Sequence, residues 1–216
     1  MDAAATFRSA VTDLEAGIDH QRQARPELAF ENQPPPRRLA PFAAAIGATV
    51  HDPDPGRRPG GEAAPGAADD GGAEIGWGSF VLLYDPAGQA GWAGPFRIIA
   101  YIRAELEPEL AADPLIGHVG WSWLTEALDA TTSGYREISG TVTRVVTEGF
   151  GAKQAEPVAT GFELRASWSP SGPGRAPRDL DGHVAAWCGA LCAAVGLPPL
   201  PAGVSPLRPR SRRRPL

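Results

Sequence analysis

The chain has 216 residues, 43% of them hydrophobic and 21% charged, with six tryptophans, 26 glycines and 23 prolines. That content supports one packed domain plus irregular length, and it excludes a fibrous or wholly disordered chain. The net charge is −5, but Arg208, Arg210, Arg212, Arg213 and Arg214 crowd the C-terminal tail; without them 15 basic residues face 25 acidic ones, about −10, which excludes a global attraction for nucleic acid.

Residues 3–20 read as a helix, because Phe7, Val11, Leu14 and Ile18 recur at spacings of four, three and four. NQPPPRR (32–38) reads as an extended linker, since consecutive prolines disfavour helix. LAPFAAAIGATV (39–50) fits a short helix or a strand; Pro41 and Gly47 favour a strand ending at Val50. Residues 51–74 contain almost no large apolar side chain and are expected to be a disordered insertion. His51, Asp52 and Asp54 there are metal-ligand types, but a flexible acidic linker accounts for them. FVLLY within 75–89 is a strand core, followed by a turn at Asp85-Pro86-Ala87-Gly88. In GPFRIIAYIRAEL (94–106), Phe96, Ile98, Ala100 and Ile102 share one face, and Arg97, Ile99, Tyr101 and Arg103 the other. These two strands are expected to form an antiparallel hairpin.

EPELAAD (107–113) suits a single helical turn begun at Pro108, with Glu105, Glu107 and Glu109 as solvated acids around its start. GHVGWSWLTEAL (117–128) opens a helix expected from Gly120 to about Ala130, with Trp121, Leu124 and Leu128 on one face and Trp123, Ala127 and Ala130 on a neighbouring stripe. YREISGTVTRVVTEGF (135–150) alternates as a strand: Ser139, Thr141, Thr143, Val145 and Thr147 against Ile138, Val142 and Val146. Val158, Phe162, Leu164, Ala166 and Trp168 mark another strand, and SPSGPGRAPR (169–178) a second linker. Leu180, Val184, Trp187, Cys188, Leu191, Cys192 and Val195 define a last helix, capped by Asp179 or Asp181 and ended by Gly196 and Pro198.

The predicted fold class is therefore α+β: an antiparallel sheet of four or five strands with helices on one face, ordered helix, optional strand, strand, strand, helix, strand, strand, helix. It forms one domain over 1–199, followed by a disordered Arg/Pro-rich tail at 200–216.

The reactive-looking segment is the helix at 117–128. Its pocket candidates are His118, Ser122, Glu126, Trp121 and Trp123, the two tryptophans being first of all core anchors. No G-x-S-x-G elbow, P-loop or dinucleotide fingerprint accompanies them. His183, Cys188 and Cys192 lie on one helix, but three ligands at that spacing fall short of a structural zinc site, so neither metal nor cofactor is expected. Arg210, Arg212, Arg213 and Arg214 are nucleic-acid candidates, with no interleaved aromatic residue for base stacking. No apolar run reaches the ~18 residues that span a membrane, and the N-terminus lacks a basic-then-apolar signal, so the expected compartment is the cytoplasm.

The blocks FVLLYDPAGQAGW, FRIIAYIRAELEPELAADPL, VGWSWLTEALDA, GTVTRVVTEGFG, ELRASWSP and HVAAWCGALCAAVGLPP together resemble the actinobacterial domain-of-unknown-function family numbered three thousand. The resemblance covers about 76–199, with the first helix and LAPF segment included, and it implies no catalytic residue or cofactor. The element order is also similar to that of dimeric secretion-system chaperones. The resulting expectation is a non-enzymatic binding, adaptor or chaperone-like protein with a protein partner or a second copy of itself. A small-molecule enzyme or ligand-binding protein with a pocket near Gly117–Glu126 is one alternative; RNA association through the tail is another.

Overall fold

A computed structural model describes residues 2–52, 73–171 and 179–199. Its elements are α1 (Ala3–Ala24), β1 (Leu28–Gln33), β2 (Phe42–His51), β3 (Glu74–Tyr84), β4 (Phe96–Glu105), α2 (Pro108–Ala112), α3 (Ile116–Thr131), β5 (Tyr135–Thr147), a 3-10 turn at Gly151–Lys153, β6 (Ala159–Pro170) and α4 (Leu180–Ala194). Six strands form one sheet in the order β1-β2-β3-β4-β6-β5, and every neighbouring pair is antiparallel. The α+β prediction holds, with one strand more than expected.

Helix α4 lies at the centre of the core. Leu180, Val184, Trp187 and Leu191 are buried, and so are Ala186, Cys188, Ala190 and Cys192, because α1 and α3 pack on its two flanks. A helix enclosed in this way is apolar nearly all round. Asp179 caps its start by accepting from the Gly182 amide at 3.2 Å, and its other oxygen accepts from the Ser133 amide at 2.8 Å. The Leu197 amide closes the far end on the Cys192 carbonyl, with Gly196 at φ +78°. Under α4 the sheet offers the alternate residues expected from a period of two: Phe80 and Leu82 on β3, Ile98, Ala100 and Ile102 on β4, and Leu164, Ala166 and Trp168 on β6. Helix α1 adds Ala10, Leu14 and Ile18, and Phe7 packs on Phe42 and Tyr84.

Residues 39–50, read as a helix or, in preference, a strand ending at Val50, form strand β2 from Phe42 to His51. Three details differ from the sequence reading. LAFENQ adds a short edge strand, β1, which Arg25 anchors through Glu27 and the Pro198 carbonyl. His51 and Glu74, placed in the insertion, instead pair as strand residues, and the Asp52 amide donates to the Ala73 carbonyl. The rest of that insertion (53–72), most of the second linker (172–178) and the tail lie outside the described residues.

Finally, α3 begins a full turn earlier than Gly120. The Asp113 carboxylate accepts from the Leu115 amide at 2.8 Å and satisfies one of the unpaired donors of the first turn. His118 is thus inside the helix rather than ahead of it.

Gly120 sets the distance between α3 and the sheet. A side-chain carbon there would overlap the ring of Phe162, which is 1% exposed and held edge-on by Trp123. Overpacking costs about 1–3 kcal/mol, and alanine regains up to about 1 kcal/mol of helix propensity. Gly120→Ala should therefore lower stability by about 1–2 kcal/mol. Urea denaturation checks this; an unchanged or higher midpoint would show that Phe162 has somewhere to go.

Candidate interaction surface

Trp121 lies over the backbone of β5. A side chain at Gly140 would strike its ring, so the missing Cβ is what lets the indole settle there. Beside this contact an open groove of about 400 Å³ runs between α3 and β5. His118 and Trp121 line it from the helix; Gly140, Val142 and Arg144 line it from the strand. Arg144 donates to the Asp113 carbonyl at 3.4 Å and ties the strand to the start of the helix. His118 is exposed, and both Trp121 and Trp123 are half-buried.

Ser122 and Glu126 are not part of the groove. The Ser122 hydroxyl donates to the Val119 carbonyl at 3.0 Å, and Glu126 is exposed. The three reactive side chains at i, i+4 and i+8 share an outward stripe of the helix, but only His118 reaches the groove. Ser122 has its proton on a helix carbonyl and lacks the strained elbow that presents a serine nucleophile.

His183 and the cysteines are core groups. The Trp168 indole donates to His183 Nδ1 at 3.2 Å, so the ring carries its proton on Nε2. Burial lowers the His183 pKa to about 4, with nearby Asp179 opposing weakly. Burial pushes the Cys188 thiol well up and Cys192 to about 12, so both remain unreactive thiols. Among the described residues no group of three or more His, Cys, Asp or Glu gathers as a metal site. Arg210, Arg212, Arg213 and Arg214 lie outside the described residues.

The two sheet edges differ, and the sequence alone did not reveal it. Strand β1 has six residues and ends just before Pro34-Pro35-Pro36, so prolines blunt it. Strand β5 has 13 residues, pairs among the described residues only through its β6 side, and contains neither proline nor lysine. Large apolar side chains are exposed along its second half and in the loop to β6: Val145, Val146 (58% exposed), Phe150 (77%) and Val158. On the helix-free face Gly161 stands between Val145 and Glu105 in register, and a second groove of about 300 Å³ opens there. Grooves therefore open on both faces of β5, along Gly140, Val142 and Arg144 on the helix side and at Val145 and Thr147 on the other.

No described helix is long and apolar enough to cross a membrane. No curated protein and no solved structure matches the chain. The profile of one family, described as protein of unknown function (DUF3000), matches residues 3–205. That span runs from α1 through β1 and β2 to beyond α4, further than the blocks that first suggested it. With every element of the sheet and its helix layer inside the match, the chain belongs to the DUF3000 family.

Proposed function

We propose that the protein is a non-enzymatic, cytoplasmic protein-binding module, adaptor or chaperone-like in role, that engages polypeptide through the β5 edge. The observation that carries this reading is the long edge strand, regular from Ser139 to Thr147, with exposed apolar side chains and a groove on each face. An edge of this kind is a template for strand addition, with backbone hydrogen bonds giving affinity and the flanking grooves giving specificity. Supporting it is the order helix, strands, helices, two strands, helix, which is similar to that of secretion chaperones with one strand added; this is analogy of fold alone. Two buried thiols with no disulfide suit a reducing compartment.

The test is immunoprecipitation of the full chain from lysate of its source cells, in parallel with Val145→Lys/Val146→Lys. Both side chains are exposed, so the substitutions leave the core intact. The expected result is a reproducible polypeptide partner, or a co-precipitated second copy of the chain distinguished by its tag, that the double variant loses. Recovery of neither, or undiminished capture by the variant, would overturn the reading.

A further inference from the structure

We propose that the β5 edge pairs with the β5 edge of a second copy of the chain, antiparallel about a twofold axis through Thr143, to make one continuous twelve-stranded sheet. This rests on the reading of β5 as an interaction edge and names its occupant.

The register follows from the strand itself. Pairing of β5 with β6 is irregular between Arg136 and Ser139 and regular from Ser139 to Thr147, a run of nine residues centred on Thr143. Full overlap of this run with its own copy spans roughly 30 Å of ladder. An antiparallel pair about an axis normal to the sheet keeps each residue on its own face, so opposed residues share parity. Ser139 then faces Thr147, Gly140 faces Val146, Thr141 faces Val145, Val142 faces Arg144, and Thr143 faces itself. No like charges are directly opposed, which would destabilise a cross-strand pair. The run's only charge, Arg144, donates to the Asp113 backbone carbonyl in each copy, and in this register the two arginines are diagonal to each other rather than opposed. A register moved by one step, centred on Arg144, would set the two arginines face to face.

Shape agrees with charge. Val146 is the most exposed apolar residue on the strand, and in this register it lands opposite Gly140, where the missing side chain leaves the half-buried Trp121 ring beside the backbone. Each copy thus offers a projecting valine and a dip with an aromatic wall, the self-complementary patch that a twofold interface needs. On the other face Val145 covers the Thr141 methyl. Because the axis is normal to the sheet, both helix layers lie on the same side, and the two α3–β5 grooves meet across the new ladder.

The full chain should sediment at twice its monomer mass at micromolar concentration. Thr141→Lys/Val145→Lys sets two lysine pairs directly opposed and should return it to monomer, whereas Thr141→Lys/Val145→Glu turns each into an ion pair and should restore the dimer. Thr143→Cys should form an intermolecular disulfide under mild oxidation, since residues opposed across a ladder have Cα atoms about 4.5–5.5 Å apart, and the native cysteines are buried. Val145→Cys, two residues off the axis and so four residues along the ladder from its own copy, should not. A wild-type monomer at high micromolar concentration, or a dimer indifferent to the lysine pairs and cross-linked no better at 143 than at 145, would overturn the proposal. A monomer that still loses a different partner on Val145→Lys/Val146→Lys sinks self-pairing alone; a monomer that captures nothing sinks the edge reading as well.

Discussion

Trp187→Ala should cost about 3–5 kcal/mol, the usual penalty for truncating a fully buried tryptophan. With typical domain stabilities of about 5–15 kcal/mol, the variant would sit near the edge of folding. The indole is at 0% exposure in the middle of α4 and touches the sheet across three strands. It packs on Phe80 at a centroid distance of 5.6 Å and on Phe30 at 6.4 Å, and it lies over Gly78, where an added side chain would press on it. Its Nε1 donates to the Tyr101 carbonyl at 3.3 Å. Trp187→Phe keeps most of the volume, loses that hydrogen bond, and should cost about half as much or less. Urea denaturation of both variants, followed by near-UV circular dichroism, checks the order. Equal losses would mean that the hydrogen bond outweighs the packing; a loss under about 1 kcal/mol for alanine would mean that the sheet and helix close over the gap.

The elements that could be read from the sequence are those whose burial is periodic and whose partners come from both sides. Helix α4, the β3–β4 hairpin and β6 show their 3.6- or 2-residue pattern because each is covered along its whole length. Strand β1 escaped because only Leu28 and Phe30 of LAFENQ face the core, too few to mark a period between Pro26 and the proline run. The start of α3 escaped because Gly117 and Gly120 look like a break, while the signal that mattered was Asp113-Pro114. For the two tryptophans of α3, spacing gave a face but not a depth. Both are half-buried, Trp123 against Phe162 and Trp121 at the rim of the groove. The edge position of β5 depends on what is missing from its far side, and alternation within a strand carries no such information. His183 looked like a partner for Cys188 and Cys192, yet its hydrogen-bond partner is Trp168 on β6.

That His183–Trp168 bond gives the fold a defined weakness to acid. The imidazole is at 0% exposure and accepts the Trp168 indole proton on Nδ1, and its Nε2 has no partner among the described residues. A charged ring would have to turn a second N–H towards the indole N–H, so burial and the bond together favour the neutral form. The folded pKa of about 4 lies below the ordinary 6.5. Above pH 6.5 both folded and unfolded states hold the ring neutral, and it makes no difference to stability. As the pH falls from 6.5 towards 4 the unfolded chain takes up a proton that the folded chain refuses, and stability drops by up to about 1.4 kcal/mol per pH unit, to a total of about 3 kcal/mol. Below pH 4 both states bind the proton and the loss levels off. The diagnostic quantity is the difference from His183→Asn, in which every pH effect common to the two proteins cancels. The asparagine Oδ1 can accept the Trp168 bond and cannot titrate. The variant should be less stable than wild type at pH 7.5, where it has lost ring packing, and the gap should shrink by about 3 kcal/mol by pH 4. A gap that stays constant across that range in urea denaturation would show that the folded protein protonates His183 at little cost.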